Sequence, residues 1–213
     1  MTNFIPIFPL NIVVYPGEEL NLHIFEPRYK QLINECQASK KPFGIPAVID
    51  NKMQELGSIV EIKELSKLHD NGEMDIKTKG LMIFRILEVI QVVPDKLYSG
   101  AIVNYPDNFE KGIAGLMQKI MKSIHDLHQL LKVKKYFKKE DAEITCYDVA
   151  HHIGLSPEEE YELLGLFDER QRQEYLKRHL AKVIPMLAGM EQLKEKIKGN
   201  GHFKNLSGFD LEK

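Results

Sequence analysis

The hydrophobic period of this chain changes near Pro106, and that change limits the folds open to it. Before Pro106 the apolar residues fall in short runs, many β-branched, with prolines and glycines between them. Leu20, Leu22 and Ile24 alternate with Glu19, Asn21 and His23, the period of a half-buried strand. Ile5, Ile7 and Val13 to Tyr15 also read as strand, as do 44–49, 58–65, 74–79, 82–93 and 98–105. Asp70-Asn71-Gly72 supplies turn chemistry between two of these runs, and Gly80 is read as a break between two others. Many short strands punctuated in this way predict a barrel or sandwich. One helix interrupts the set. Pro27 suits a first helical turn, and Tyr29, Leu32, Ile33 and Cys36 then share a face, which predicts a helix covering one end of the barrel.

After Pro106 the period is helical. Ile113, Met117, Ile120, Ile124, Leu127 and Leu131 form a stripe at spacings of four and three. Ser156-Pro157-Glu158-Glu159 is a helix start, with serine as cap, proline at the first position and acids in the first turn. Leu176, Leu180, Val183, Leu187 and Met190 mark a last helix, which Pro185 should kink or split. From Gly199 the composition turns to Gly, Asn and Lys, and a fraying tail is expected. The expected class is therefore α+β, with a β-rich part over 1–105, a helical part over 106–198 and a flexible tail over 199–213.

The 213 residues are 43% hydrophobic and 28% charged with a net charge of -2, the composition of a globular protein without a global polyanion-binding surface. The first residues lack the basic and apolar regions of a signal peptide, and no apolar run has the length of a membrane span. Two cysteines far apart, Cys36 and Cys146, make neither a disulfide framework nor a four-ligand zinc site, and a reducing cytoplasm is expected. The phosphate-cradling G-x-x-x-x-G-K-[ST], the G-x-S-x-G elbow and H-E-x-x-H do not occur, so no catalytic residue, metal or cofactor is assigned.

Three charged constellations remain. His125 and His128 are spaced to share a helix face, but they flank the apolar stripe and read as solvated; His151 and His152 are adjacent and point apart. Lys132, Lys134, Lys135, Lys138 and Lys139, with Tyr136 and Phe137 among them, form a basic run able to touch nucleic acid, or else a solvated helix end. Glu158, Glu159, Glu160 and Glu162 sit in the first turns of a helix, where acids complement its dipole.

Four blocks of sequence carry a resemblance. The segment from Phe8-Pro9-Leu10 to Tyr15-Pro16-Gly17 resembles the opening of the Lon N-terminal domain family, and Ile24-Phe25-Glu26-Pro27-Arg28-Tyr29 resembles a signature of its free-standing members. Glu55 to Ile62 is similar to the family's "G-T-x-A-x-I" strand, and Lys79 to Ile86 to its "x-G-x-x-R-x-x-I" segment, with Arg85 displaced from the commonest arginine position. The Glu-Pro-Arg-Tyr turn places the chain nearer the stand-alone group than the protease-borne form. The resemblance implies a PUA-like β pseudo-barrel followed by a C-terminal α-helical bundle. It also implies a role in recruiting protein substrates, with the ATPase and Ser–Lys peptidase lying in later domains that this chain ends before.

The leading expectation is a non-catalytic module that binds unfolded or partner protein segments in a groove between barrel and helices, as a monomer without a membrane or cofactor requirement. Its candidate contacts are Tyr15, Phe25, Tyr29 and Phe84, most of them also suited to the core, and Arg28, which either pairs with Glu26 to fix its turn or faces a ligand. RNA binding through the basic run is the alternative, and an enzyme with an unrecognised site the second alternative.

Overall fold

The computed structural model describes residues 2–137, 139–140 and 143–204, with side chains as far as Lys198. Its strands are β1 (Thr2–Pro6), β2 (Glu19–Ile24), β3 (Phe43–Ile49), β4 (Lys52–Leu68), β5 (Met74–Ile90) and β6 (Gly100–Asn104). They pair antiparallel in the order β1-β6-β5-β4-β3, with β2 laid on the first half of β5. The sheet then closes on itself. The chain leaving β1 runs parallel to β3, with bridges Ile7 to Gly44 and Leu10 to Ala47, and the Val48 N–H donates to the Leu10 carbonyl at 2.8 Å. Closure removes the exposed edges that an open sheet of this length would present.

The helix α1 (Pro27–Ser39) buries Tyr29, Leu32, Ile33 and Cys36, the face read from the sequence. It packs with Phe8, Phe43, Val60 and Met74 in one core cluster. Its outer side is tied to the β5–β6 connection: the Leu97 N–H donates to Gln31 Oε1 at 2.8 Å, and Lys96 and Tyr98 both donate to Glu35.

Two strand readings are corrected. Val13 to Tyr15 are buried but form no strand; Val13 and Tyr15 turn toward the helices and Val14 toward α1. Side chains satisfy this buried backbone in place of a ladder, since Ser58 Oγ donates to the Val14 carbonyl and the Tyr15 N–H donates to Glu18. Gly80 does not break a pair of strands. β5 runs through it, with a register shift against β4 at Ile59/Val60. The Tyr15-Pro16-Gly17-Glu18 turn crosses the strand at this point, exchanging Gly17 N–H to Gly80 O (2.9 Å) and Gly80 N–H to Glu18 O (2.8 Å). A Cβ on residue 80 would lie inside contact distance of the Tyr15 carbonyl oxygen.

After β6 come α2 (Ala114–Leu130), the short α3 (Cys146–Val149) with a 3-10 turn at 150–152, α4 (Pro157–Leu164) and α5 (Glu169–Lys204). The predicted start of α4 holds: Ser156 and Glu159 form a reciprocal capping box. Pro185 lies inside α5 without splitting it, and the helix passes Gly199, where the tail was expected; residues 205–213 lie outside the described residues. Met117, Ile120, Ile124 and Leu127 of the predicted stripe are buried against Leu176 and Leu180 of α5. The stripe's ends, Ile113 and Leu131, are exposed because they cap α2. The same cluster takes in Tyr15, Ala47, Leu56 and Ile83, so sheet and helices share one core. His128 is buried rather than solvated: it bonds the His152 carbonyl at 2.9 Å and is covered by Phe137.

At the centre of the helical side lies an ion pair that the sequence reading missed. Arg172 and Glu169 are both buried and meet at 2.7 Å. The guanidinium also donates to Asn108 Oδ1, Tyr147 Oη and the Leu166 and Phe109 carbonyls, and it stacks on the Tyr147 ring at 4.3 Å. Glu169 accepts the Cys146 N–H at 2.7 Å. Arg172→Ala should therefore cost about 3–5 kcal/mol by stranding Glu169 in the core. Gly80→Ala should cost about 1–3 kcal/mol by forcing the turn off β5. Urea denaturation checks both, and an unchanged midpoint for either variant contradicts its account.

Candidate functional site

The junction between sheet and helices is built on Tyr15. Pro16 and Gly17 make the turn after it, with Gly17 at φ 84° and the Glu18 N–H returning to the Tyr15 carbonyl at 3.2 Å, the geometry of a type II turn. The turn fixes Tyr15 facing the helices. Its ring stacks on Tyr147 of α3 at 5.0 Å, and its hydroxyl donates to the Glu160 carbonyl of α4 at 2.9 Å. A second bond crosses nearby, from the Leu56 N–H of β4 to the Tyr161 hydroxyl at 3.1 Å.

His151 completes the junction. Its Nδ1 lies 2.7 Å from Glu160 Oε1 and its Nε2 lies 3.3 Å from Glu18 Oε2, with the ring beside Tyr15. Burial alone pulls an imidazolium's pKa down, but hydrogen bonds to Glu160 and Glu18 and the attraction of both carboxylates outweigh it and lift His151 to about 10. At neutral pH a cation thus joins the turn before β2 to α4.

A cavity of about 500 Å³ opens beside this junction. One wall is the turn from Pro16 to Glu19 with Lys79 of β5; the other is Tyr147, Asp148, His151 and His152; the segment with Lys135, Tyr136, Phe137 and Lys139 forms its rim. Its volume falls in the range of ligand clefts. The rim is aromatic and charged: Tyr136 is 86% exposed, Phe137 stacks on His128 and tilts against His152, and Lys139 is paired with Asp148 at 2.7 Å. Burial, with Lys135 and His151 nearby, lowers the pKa of His152.

The five residues named from the sequence do not converge on this cavity; Arg28 and Tyr29 instead line a smaller one of about 190 Å³ with Ile7 and Pro9. Tyr15 is fully buried behind the cavity. Phe84 is fully buried beneath Gly44 and Gly57. Tyr29 is buried and stacks on Phe8 at 4.0 Å. Arg28 is exposed, donates to Glu26 at 2.9 Å and lies over the Tyr29 ring, the turn-fixing pairing considered for it. Phe25 is exposed beside His23. Of the basic run, Lys132 approaches Glu191, Lys139 is bound to Asp148 and Lys135 rims the cavity. Lys134 is exposed in the same irregular segment, and Lys138 lies outside the described residues. The run follows α2 rather than ending it, because the helix stops at Leu130 and Lys132 takes φ 55°. The sequence reading set His151 aside as half of an adjacent pair that points apart, and it missed the cavity itself.

Fold and junction together define an α+β domain with a cleft between a closed antiparallel sheet and its helices. Residues 5–182 match the model of the ATP-dependent protease La (LON) substrate-binding domain, and the chain belongs to that family. It is similar to the solved Lon N-terminal domain protein from Xanthomonas campestris, at 23% identity and a TM-score of 0.63, over 83% of this chain and 98% of that one. It is also similar to the N-terminal domain of Mycobacterium avium complex Lon protease, at 15% identity and a TM-score of 0.63, over 84% and 98%. At these identities the two structures speak to the fold. No helix among the described residues is long and apolar enough to cross a membrane.

The junction has a pH signature. The folded state holds the His151 proton to about pH 10, whereas an unfolded chain releases it near 6.5. Its stabilisation is therefore complete below about pH 6.5 and is lost as pH rises through about 10. His151→Gln should lose most relative to wild type at pH 6.5 and least at pH 10. Urea midpoints across that range test this, and parallel profiles for the two proteins would rule it out.

Proposed function

We propose that the chain is a non-catalytic module that captures unfolded protein segments in the cavity beside Tyr15 and His151, as a monomer. On this reading it has a PUA-like pseudo-barrel over 1–105, a helical bundle over 106–198 and a tail over 199–213. The carrying observation is the cavity of about 500 Å³, with an exposed aromatic, Tyr136, at its rim and charges of both signs on its walls. An unfolded segment offers apolar side chains alternating with peptide groups, and such a wall meets both. Tyrosines that a bound segment covers and desolvates carry a large share of binding energy in interfaces. Membership of a family described by substrate binding supports the same reading. The work is binding alone, since Glu18, Glu160 and Asp148 are engaged with His151, Thr145 and Lys139.

Nothing favours nucleic acid in this arrangement. Lys132 and Lys139 are engaged with carboxylates, and the cavity wall carries Glu18, Glu19 and Asp148.

The test is anisotropy with a labelled, reduced and carboxymethylated globular protein that stays unfolded. Binding should depend little on salt, and Tyr136→Ser should weaken it about tenfold, the scale of one anchor residue. Binding unchanged by Tyr136→Ser, or seen only for single-stranded RNA with a steep salt dependence, would overturn the proposal.

A further inference from the structure

A second cluster lies at the other end of β2 from the cavity. His23 is the penultimate residue of that strand and stands directly opposite Asp75 of β5 in the antiparallel register. His69 follows β4, at the base of the hairpin whose tip is Asp70-Asn71-Gly72; Gly72 takes φ 76°, and the His69 N–H donates to the Glu73 carbonyl at 2.8 Å. Three strands thus deliver two imidazoles and a carboxylate to one spot, and their donor atoms all lie within 4.8 Å of one another. His23 Nδ1 is 2.7 Å from Asp75 Oδ1, and His69 Nε2 is 2.8 Å from Asp75 Oδ2.

We propose that His23 Nδ1, His69 Nε2 and Asp75 form a site for a borderline divalent transition-metal ion of the zinc type.

The donor set selects the metal class. Two imidazoles with one carboxylate suit zinc and its neighbours, whereas calcium and magnesium take oxygen ligands. Bonds of about 2.0–2.1 Å to a tetrahedral ion set its ligand atoms roughly 3.3 Å apart. The present separations are shorter by about half an ångström, a change that small side-chain rotations accommodate on a surface where His23 and Asp75 are both well exposed. Glu73 supplies the orienting partner. Its carboxylate lies 3.2 Å from His23 Nε2 and can hold the Nε2–H, while an ion bound at Nδ1 would take the place of the proton that Nδ1 shares with Asp75. A carboxylate holding the far nitrogen of an imidazole is the usual support of a metal-ligating histidine. The remaining coordination positions face solvent. An ion seated here would clip β2 to the β4–β5 hairpin, which the backbone already joins through the β2–β5 and β4–β5 ladders.

The test is calorimetric titration of the full chain with zinc chloride, with cobalt(II) chloride as a spectroscopic probe and thermal unfolding alongside. One equivalent should bind, with tetrahedral d–d absorption for cobalt and a rise in Tm with zinc. His23→Ala and His69→Ala should each abolish that equivalent. Glu73→Gln, which touches no metal, should weaken it on the order of 10–100-fold through its hold on His23. His125→Ala, on the exposed side of α2, should leave it unchanged. Circular dichroism confirms that each variant folds, and Asp75→Asn serves as a further ligand variant if an alanine variant does not. Absence of the zinc equivalent, or its persistence in both folded histidine variants, would overturn the proposal.

Discussion

The buried guanidinium of Arg172 is the point on which the helical side of this protein depends. It spends its donors on five acceptors from four places in the chain: Asn108 and Phe109 just after the sheet, Tyr147 in α3, Leu166 before α5 and Glu169 within α5. Only a planar fork with several fixed donors can bind so many groups at once, and a lysine ammonium cannot. The charge is tolerable in the core because Glu169 is there to meet it and because that carboxylate takes the Cys146 N–H on its other oxygen. Among the described residues, no buried polar side-chain atom lacks a partner.

From Arg172 the order passes to the sheet. The Tyr147 ring is held on one side by the guanidinium and meets Tyr15 at 5.0 Å. Tyr15 in turn is fixed by the Pro16-Gly17 turn pinned across Gly80. The chain of contacts from α5 to β5 therefore uses two aromatic rings and one backbone crossing. His151 runs beside it and adds charge to the same junction. Pro16, Gly17, Tyr147 and His151 of this junction line the cavity, so the wall opposite the 135–139 rim is set by core packing.

How much of this the sequence disclosed follows from what each element obeys. The face of α1 and the cap of α4 were legible because both are local: the helical period selects Tyr29, Leu32, Ile33 and Cys36, and Ser156 with Glu159 lie three residues apart. The strands were legible as apolar runs, but two readings failed where a distant segment decided the matter. Val13 to Tyr15 carry strand residues, yet Ser58 and Glu18 side chains take the place of a ladder. Gly80 looked like a break because glycine weakens strands, whereas the glycine makes room for the Tyr15 carbonyl. Arg172 went unseen and His151 was set aside for a related reason. Each draws part of its role from partners 63 to 64 or 133 residues away, and a lone arginine in a charged helix carries no sign of burial.

The motifs that revealed the family have consequences for where a ligand can sit. The Tyr15-Pro16-Gly17 turn, the Leu56-Gly57-Ser58 strand and the Lys79-Gly80 crossing are all consumed by closing the sheet and seating the helices on it. Glu26 and Arg28 are consumed by their own turn. Residues committed to packing cannot vary with the partner, so resemblance in them carries the fold and says little about what is bound. The segment 132–137 is under no such constraint: it has no regular structure, its side chains are largely exposed, and Phe137 is its principal packed residue. On the proposed function, discrimination between partners belongs to this rim, while the junction behind it supplies a rigid wall whose order traces back to Arg172.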